Sequence, residues 1–452
     1  MRNAEQTVEH NLAQIAAHDE ILKATITVCA DNARAEAKTT DQAAANGQWL
    51  GLLHGVTVAL KDNIDTAGVR TTSGSKFFTD HVPTTDAPVV EKLKAAGAIV
   101  ISKTNMAEFA IGGTTQNEHY GSCRNPWNTD HIPGGSSGGS GAAVATEMAM
   151  AALGTDTGGS VRLPACINGL VGMKPTTGRV SNRAVTPMSL WFDTVGPMAY
   201  SAETVARMLA VIEGYDPLDT SAIDGPGDEI IRGLHEGIEG VRIGMPTSYF
   251  FDDVDPEILA RVRDAIEVLA SLGAEIVNVD VPRFSEAQER MTKMLYPDVL
   301  AFHAERLATQ PEVFGSDVRT RLQIGKDIPA EEFARSVQWR AGWIQQLKHT
   351  TFADVDLVVT PTLKIQTPPV DSDALKTGSQ PLAAITHKLG LNTFGWSFAG
   401  NPGVSVPVGQ VNGLPVGMQL VGPWWHDGAV LRAAVAYQSV TAWHRNRPAL
   451  VG

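Results

Sequence analysis

Two stretches of this chain share one grammar: an amphipathic helical stripe, a glycine that stops it, and a β-prone run directly behind. In the first, Val89, Val90 and Leu93 recur at helical spacing, Gly97 follows, and residues 98–101 read Ala-Ile-Val-Ile. In the second, Ile258, Leu259, Val262, Ile266 and Leu269 form the stripe, Gly273 ends it, and residues 275–279 are strand-like. A helix that must bury one stripe and a strand that follows it closely are both satisfied by stacked layers, so the pattern predicts an α/β fold. Residues 4–45 predict helices, with Leu12, Ile15, Ile21 and Leu22 at helical spacing and Gly47 breaking the run. Residues 56–60 are a β-prone run that delivers Lys61 at its carboxyl end, where open α/β folds build their sites.

Farther along, residues 214–240 are rich in Gly, Asp and Pro and predict a surface connection, and 285–350 predict a mostly helical region. Residues 404–408 and 416–421 flank Asn412-Gly413 and predict a hairpin. Its loop reads as longer than two residues, and Pro407 and Pro415 predict irregular or edge pairing. No linker divides the chain, so one domain over 1–452 is expected, with 285–350 as its variable helical part.

A formal net charge of −13 opposes binding to nucleic acid or anionic membranes, because such surfaces require clustered Lys and Arg. Cys29, Cys123 and Cys166 are odd in number and at no metal-ligand spacing, which argues against a disulfide framework or zinc site and for a reducing compartment. Glu5, Glu9 and His10 stand where a signal peptide needs an apolar run, and no apolar stretch reaches membrane-spanning length, so a cytoplasmic location is expected.

Chemistry concentrates in two glycine-serine loops. The first, residues 133–141, reads Pro-Gly-Gly-Ser-Ser-Gly-Gly-Ser-Gly and opens the helix-forming Ala142-Ala143-Val144-Ala145. A flexible linker would continue polar on both sides, and a phosphate cradle would need a Gly-Lys-Ser/Thr that is missing. The loop also satisfies Gly-x-Ser-x-Gly, the nucleophile elbow of α/β-hydrolases, centred on either Ser136 or Ser137. That motif needs a buried strand before it, whereas residues 124–131 are polar and turn-forming. The second loop, Gly-Thr-Asp-Thr-Gly-Gly-Ser at 154–160, does follow an apolar run. A serine just after a tight Gly-Gly turn can set its Oγ beside the N–H groups of Thr157, Gly158, Gly159 and Ser160, suited to a tetrahedral oxyanion. Lys61 and Lys103 both follow apolar strands and are not separable by pattern alone. Of the twelve histidines, His54, His119 and His131 lie in no arrangement that singles out a base.

Together the two loops resemble the amidase signature family of serine hydrolases. The resemblance runs over residues 51–197, including Leu60-Lys61-Asp62-Asn63, Arg124-Asn125-Pro126-Trp127 and Gly169-Leu170-Val171-Gly172-Met173-Lys174-Pro175-Thr176. It resumes in Val358-Val359-Thr360-Pro361-Thr362 and Gly413-Leu414-Pro415-Val416-Gly417-Met418-Gln419-Leu420. It implies a large central mixed β-sheet covered by helices on both faces. It also implies a Ser–cis-Ser–Lys triad with Ser160 as nucleophile, Ser136 as bridging serine in a cis peptide, and Lys61 as base. Lysine takes a proton only when neutral, so Lys61 is expected to be desolvated. Asp156 is expected to brace the oxyanion loop, Ser137 to serve as a hydrogen-bonding helper, Arg162 and Asn63 to secure the site, and Cys166 to be a buried inert thiol. Trp191, Phe192 and Trp396 either border the pocket or pack in the core.

The activity implied is hydrolysis of a carboxamide or urea-like C–N bond through an acyl-enzyme, releasing ammonia or an amine, with no metal or organic cofactor. Residues 114–197 also resemble the glutaminase subunit of a tRNA-dependent amidotransferase, which delivers ammonia to a partner. The weaker match beyond about residue 285 favours a stand-alone enzyme acting on a small-molecule amide, for which a homodimer is the default.

Overall fold

The computed structural model describes residues 2–371 and 380–451. Thirteen strands are seen among them: β1 (Thr25–Val28), β2 (Thr57–Lys61), β3 (Ile99–Thr104), β4 (Gln116–Asn117), β5 (Gly121–Ser122), β6 (Ala151–Thr155), β7 (Val171–Lys174), β8 (Val195–Ala199), β9 (Arg242–Pro246), β10 (Glu275–Val279), β11 (Leu357–Pro361), β12 (Gly403–Val411) and β13 (Leu414–Val421). Eleven form one sheet in the order β1-β3-β2-β6-β8-β7-β12-β13-β11-β9-β10, and β4 and β5 pair separately. The sheet is mixed: β2 runs parallel to both β3 and β6, neighbours from β6 through β8, β7, β12 and β13 to β11 are antiparallel, and β11, β9 and β10 are parallel.

Both repeats of the helix–glycine–strand grammar close in the same way. In the helix Pro88–Ala95, proline opens the first turn, Gly97 takes φ +85°, and the Ala98 N–H donates back to the Leu93 carbonyl at 3.0 Å. In the helix Pro256–Ser271, the Asp255 carboxylate caps the N-terminus, Gly273 takes φ +91°, and the Ala274 N–H donates to the Leu269 carbonyl at 3.3 Å. The strands β3 and β10 then start at once. Along β2, Val58 and Leu60 join one apolar cluster with helix Ala202–Ile212. Ala59 joins another, with helices Ala4–Leu22 and Gly138–Ala145. Alternate residues of a central strand thus bury against helices on opposite faces, the α/β layering expected.

Two features differ from the sequence reading. Strand β1 lies between the helices Ala4–Leu22 and Ala30–Ala45, in a segment read as helical throughout. All four of its residues, Thr-Ile-Thr-Val, are β-branched, and they pair antiparallel with β3 at the sheet edge. The hairpin β12–β13 has a loop of only two residues, Asn412 and Gly413, both at positive φ, as its tight turn requires. As expected its pairing is irregular, with a register shift between Pro407 and Gly409, but it sits inside the sheet and not at an edge. Pro407 and Pro415 fit there because β7 pairs β12 only over Gly403, Val404 and Ser405, and β11 pairs β13 only from Met418 onward.

Between 284 and 349 lie the helices Phe284–Thr309, Ser316–Lys326 and Ala330–His349. Among the described residues no helix is long and apolar enough to cross a membrane. In the first of these helices His303 is 1% exposed, with its ring centroid 4.3 Å from that of Phe109 and 5.5 Å from that of Phe314. Neither ring nitrogen has a hydrogen-bond partner. Burial, helped by Arg306, lowers its pKa to about 3, so on acidification below the ordinary value of 6.5 the unfolded chain gains a proton that the folded chain refuses. Stability is therefore lost as pH falls through that window. His303→Phe is expected to raise the unfolding free energy by about 1–3 kcal/mol and to reduce the acid loss. Denaturant titrations at neutral and mildly acidic pH check this; unchanged stability at both would refute it.

Candidate active site

Strands β2 and β6 lie side by side and parallel, with Leu60 opposite Leu153, so Lys61 and Thr155 leave the sheet at the same end. Lys61 is wholly buried, and its Nζ lies 2.7 Å from Ser136 Oγ, 2.7 Å from Thr155 Oγ1 and 3.4 Å from the Thr155 carbonyl. Every one of these contacts is neutral. Burial lowers the Lys61 pKa to about 7, against the opposing pull of the Asp193 and Asp156 carboxylates. Lys103, on β3, is equally buried but points elsewhere. It donates to the Ile64 carbonyl and Thr71 Oγ1 and lies 3.6 Å from Asp62 Oδ1.

Ser136 is buried and follows a cis peptide bond from Gly135. A Cβ on Gly135 would lie 2.7 Å from Gly113 C and Thr114 N, so only glycine allows this close approach. The Ala107 N–H donates to the Ser136 carbonyl at 3.2 Å, and the helix Gly138–Ala145 begins two residues later. Ser137 braces the end of β6: its hydroxyl donates to the Thr155 carbonyl at 3.2 Å and accepts from the Thr155 N–H at 3.3 Å. Asn63 donates to the Thr186 carbonyl at 3.2 Å and toward Thr155 Oγ1 at 3.5 Å.

Ser160 is half-buried, unlike Lys61 and Ser136, and its hydroxyl makes no hydrogen bond among the described residues. The structure thus brings Lys61 and Ser136 into contact and leaves the Ser160 hydroxyl unengaged. The loop before Ser160 is organised by Asp156, whose carboxylate accepts from the N–H of Gly159 at 2.6 Å and of Val161 at 3.2 Å. It also receives both Nε and Nη2 of Arg162 at 3.0 Å. Burial alone would raise its pKa, but the Arg162 guanidinium and the other donors overcome that and hold it at about 2. The remaining Arg162 donors reach Gln419 Oε1 at 2.7 Å and Ser397 Oγ at 2.6 Å. Gly159 therefore differs from expectation: its N–H is committed to Asp156. The N–H groups of Thr157, Gly158 and Ser160 make no hydrogen bond among the described residues. Thr157 instead uses its hydroxyl, which donates to Asp193 Oδ1 at 2.5 Å.

Sequence reasoning missed Thr155, Asp193, Ser397 and Gln419. Thr155 and Asp193 stand within residues 51–197 and Gln419 within 413–420, yet no spacing rule marks a group that meets the site only through sheet pairing. Thr155 faces Val195 across β6 and β8, which brings Asp193 to the loop. His119 pairs with Glu108 at 3.1 Å, and burial pushes the Cys166 thiol up to about 12. Phe192 and Trp396 are core residues packed with Phe398 and Phe250 respectively, whereas Trp191 is 40% exposed. Among the described residues no group of three or more His, Cys, Asp or Glu is arranged to hold a metal ion.

The amidase family model matches residues 6–431. The chain belongs to the amidase family. This amidase-family chain is 38% identical to the A subunit of the glutamyl-tRNA(Gln) amidotransferase of Pseudomonas aeruginosa, over 99% of its own length and 96% of the relative's. Among solved structures it superposes with TM-score 0.90 and 34% identity on a chain of the vestigial protein complex that reveals the evolutionary origins of an s-triazine catabolic enzyme, covering 97% of this chain and 95% of that one. The corresponding amidotransferase protein of Thermotoga maritima follows with TM-score 0.81 and 30% identity, over 97% and 92%.

Proposed function

We propose that this chain is an amidohydrolase that cleaves a carboxamide or urea-like C–N bond through an acyl-enzyme on Ser160. The observation that carries the proposal is the wholly buried Lys61, 2.7 Å from Ser136 Oγ and with its pKa brought to about 7. A serine hydroxyl is a weak nucleophile until a neighbour takes its proton. In this reading Ser160 passes its proton to Ser136, and Ser136 passes its own to neutral Lys61 while Ser160 Oγ bonds to the substrate carbonyl carbon. The carbonyl electron pair moves to oxygen, held by the free N–H groups of Thr157, Gly158 and Ser160. On collapse the proton returns through Ser136 to the departing nitrogen. Water then clears the acyl group by the same relay. Asp156 and Arg162 hold the oxyanion loop and Ser137 holds the end of β6.

A fluorophosphonate should label wild-type protein on Ser160, mapped by peptide mass spectrometry, and a panel of amides should release ammonia or amine from the purified chain. Labelling on Ser136, or turnover untouched by full labelling, would overturn the assignment. The pH dependence is a separate expectation. Lys61 must be neutral to accept a proton, and burial sets its pKa at about 7. kcat/KM should therefore rise with pH through about 7 and level off above it, and a limb near the ordinary lysine value would contradict a desolvated base.

The relative from Pseudomonas aeruginosa favours a second reading, the glutaminase component of an amidotransferase, because the match spans almost the whole of both chains. Glutamine hydrolysis that requires added partner subunits would support it. Efficient hydrolysis of another amide by the chain alone would support the stand-alone enzyme.

A further inference from the structure

Two buried carboxylates, Asp193 and Asp156, act electrostatically on Lys61, and they differ in how their charge is met. Asp156 has Arg162 in direct contact and its charge is balanced. Asp193, 6% exposed, accepts only neutral donors: the Thr157 hydroxyl at 2.5 Å, the Met188 N–H at 2.7 Å and the Ser189 N–H at 3.0 Å. No cationic side chain pairs with it among the described residues. Its place is set by the sheet. Thr155, which bonds Lys61 Nζ, faces Val195, the Asp156 N–H donates to the Thr194 carbonyl at 2.8 Å, and Thr157 reaches Asp193. The sequential contacts 155–195, 156–194 and 157–193 lay Asp193 along the loop that leaves β6 at Thr155, the residue that holds the lysine.

Resting on the reading of Lys61 as base, we propose that Asp193 is a positioning residue for catalysis. Its carboxylate is the buried counter-charge of the ammonium that Lys61 becomes during attack, and its bond from Thr157 couples that charge to the oxyanion loop.

The chemistry needs such a group. When Ser160 attacks, one proton reaches Lys61 Nζ through Ser136, so a cation forms in a wholly buried site whose direct contacts are all neutral. Creating it there is opposed by desolvation and favoured by an opposite charge nearby. The charged groups acting on Lys61 are Asp193 first and Asp156 second, and Asp156 is already neutralised by Arg162. Lys103, on the neighbouring strand, is occupied by Asp62. On the far side of the 186–193 loop, Asp298 is held by the Ser189 hydroxyl at 2.6 Å and the Leu190 N–H at 3.0 Å. Lys61 is in turn the cation that acts on Asp193, whose pKa burial raises to about 6. Asp193 takes no proton from the reaction; it offsets the charge until the proton returns to the leaving nitrogen, as the aspartate of a serine-protease triad does for its imidazolium.

The test is the pH profile of kcat/KM for Asp193→Asn. Loss of the anion makes Lys61 easier to deprotonate, so the acid limb should move down by about one pH unit. The plateau should fall at least about tenfold, because the ammonium has lost its counter-charge. A merely structural role would lower the plateau and leave the limb in place, and that result overturns the proposal. If Asp193→Asn does not fold, Thr157→Val serves instead. It keeps the carboxylate but removes a bond that favours its charged form, so the limb should move the same way by less; an unmoved limb again overturns the proposal. Lys61→Ala separates this idea from the reading beneath it. Full activity in Lys61→Ala removes the base assignment itself. With that activity lost, Asp193→Asn added to Lys61→Ala should cost nothing further, and a fully additive loss would count against the coupling.

Discussion

Ser160→Ala is expected to lower kcat/KM for amide hydrolysis by ~10⁴–10⁶-fold, the scale seen when a serine hydrolase loses its nucleophile, without lowering the thermal midpoint. The two halves of that expectation come from separate observations. Ser160 is half-buried and its hydroxyl makes no hydrogen bond among the described residues, so removing one oxygen leaves no buried partner unsatisfied. No other hydroxyl of the two loops is free to replace it in the same way: Thr157 spends its hydroxyl on Asp193, and Ser137, in the 133–141 loop, spends its own on Thr155. Ser136→Ala should also cripple turnover, but for another reason and with another signature. Its oxygen is the one Lys61 contacts at 2.7 Å, so its loss leaves Ser160 present but without a route to the base. Fluorophosphonate labelling should then be slow in Ser136→Ala and absent in Ser160→Ala. Side-by-side labelling and amide assays of the two variants, with melting curves, check all of this. Near-wild-type activity in Ser160→Ala together with its loss in Ser136→Ala would hand the nucleophile's role to the Gly-x-Ser-x-Gly loop.

That contrast also shows which parts of the molecule are written locally in the sequence. The helix–glycine–strand units were legible because stop signal and stripe are neighbours in the chain, and Gly97 and Gly273 do take the left-handed conformation that closes their helices. Strand β1 was not legible, since four β-branched residues between two Ala-rich helices become a strand only once β3 is present to pair with them. Lys61 and Lys103 look alike in sequence for the same reason: both end apolar strands, and only the fold turns one toward Ser136 and the other toward Asp62. The loop 154–160 announced a candidate oxyanion hole, but its internal bonding did not follow from composition. Asp156 claims the Gly159 N–H, and Asp193 reaches Thr157 from 36 positions away in the chain.

The same loop makes Arg162 the residue whose loss should cost the fold most. Its guanidinium is wholly buried and binds Asp156 through two nitrogens, and its other donors reach Gln419 on β13 and Ser397 in the helix Phe394–Ala399. Arg162→Met fills much of the volume but strands the Asp156 carboxylate without a cation at zero exposure. Breaking a buried pair from one side costs about 3–5 kcal/mol, a large share of the roughly 5–15 kcal/mol that holds a typical domain folded. The pH dependence has a definite sign. In the wild type the Asp156 pKa, held at about 2, lies below its ordinary 3.8, so this group stabilises the fold above 3.8 and the contribution is lost as pH falls through 2. Without Arg162 its folded pKa rises above the unfolded value, and acid then favours the folded form. The gap between Arg162→Met and wild type should therefore narrow as pH falls below neutrality. Adding Asp156→Asn should recover part of the loss, because the stranded charge is gone, whereas Arg162→Lys should recover little, because an ammonium cannot make the two-pronged contact. Denaturant unfolding of the four proteins across pH measures each step. A cost under about 1 kcal/mol for Arg162→Met would mean that the loop is held chiefly by the Gly159 and Val161 N–H bonds to Asp156 and not by the ion pair.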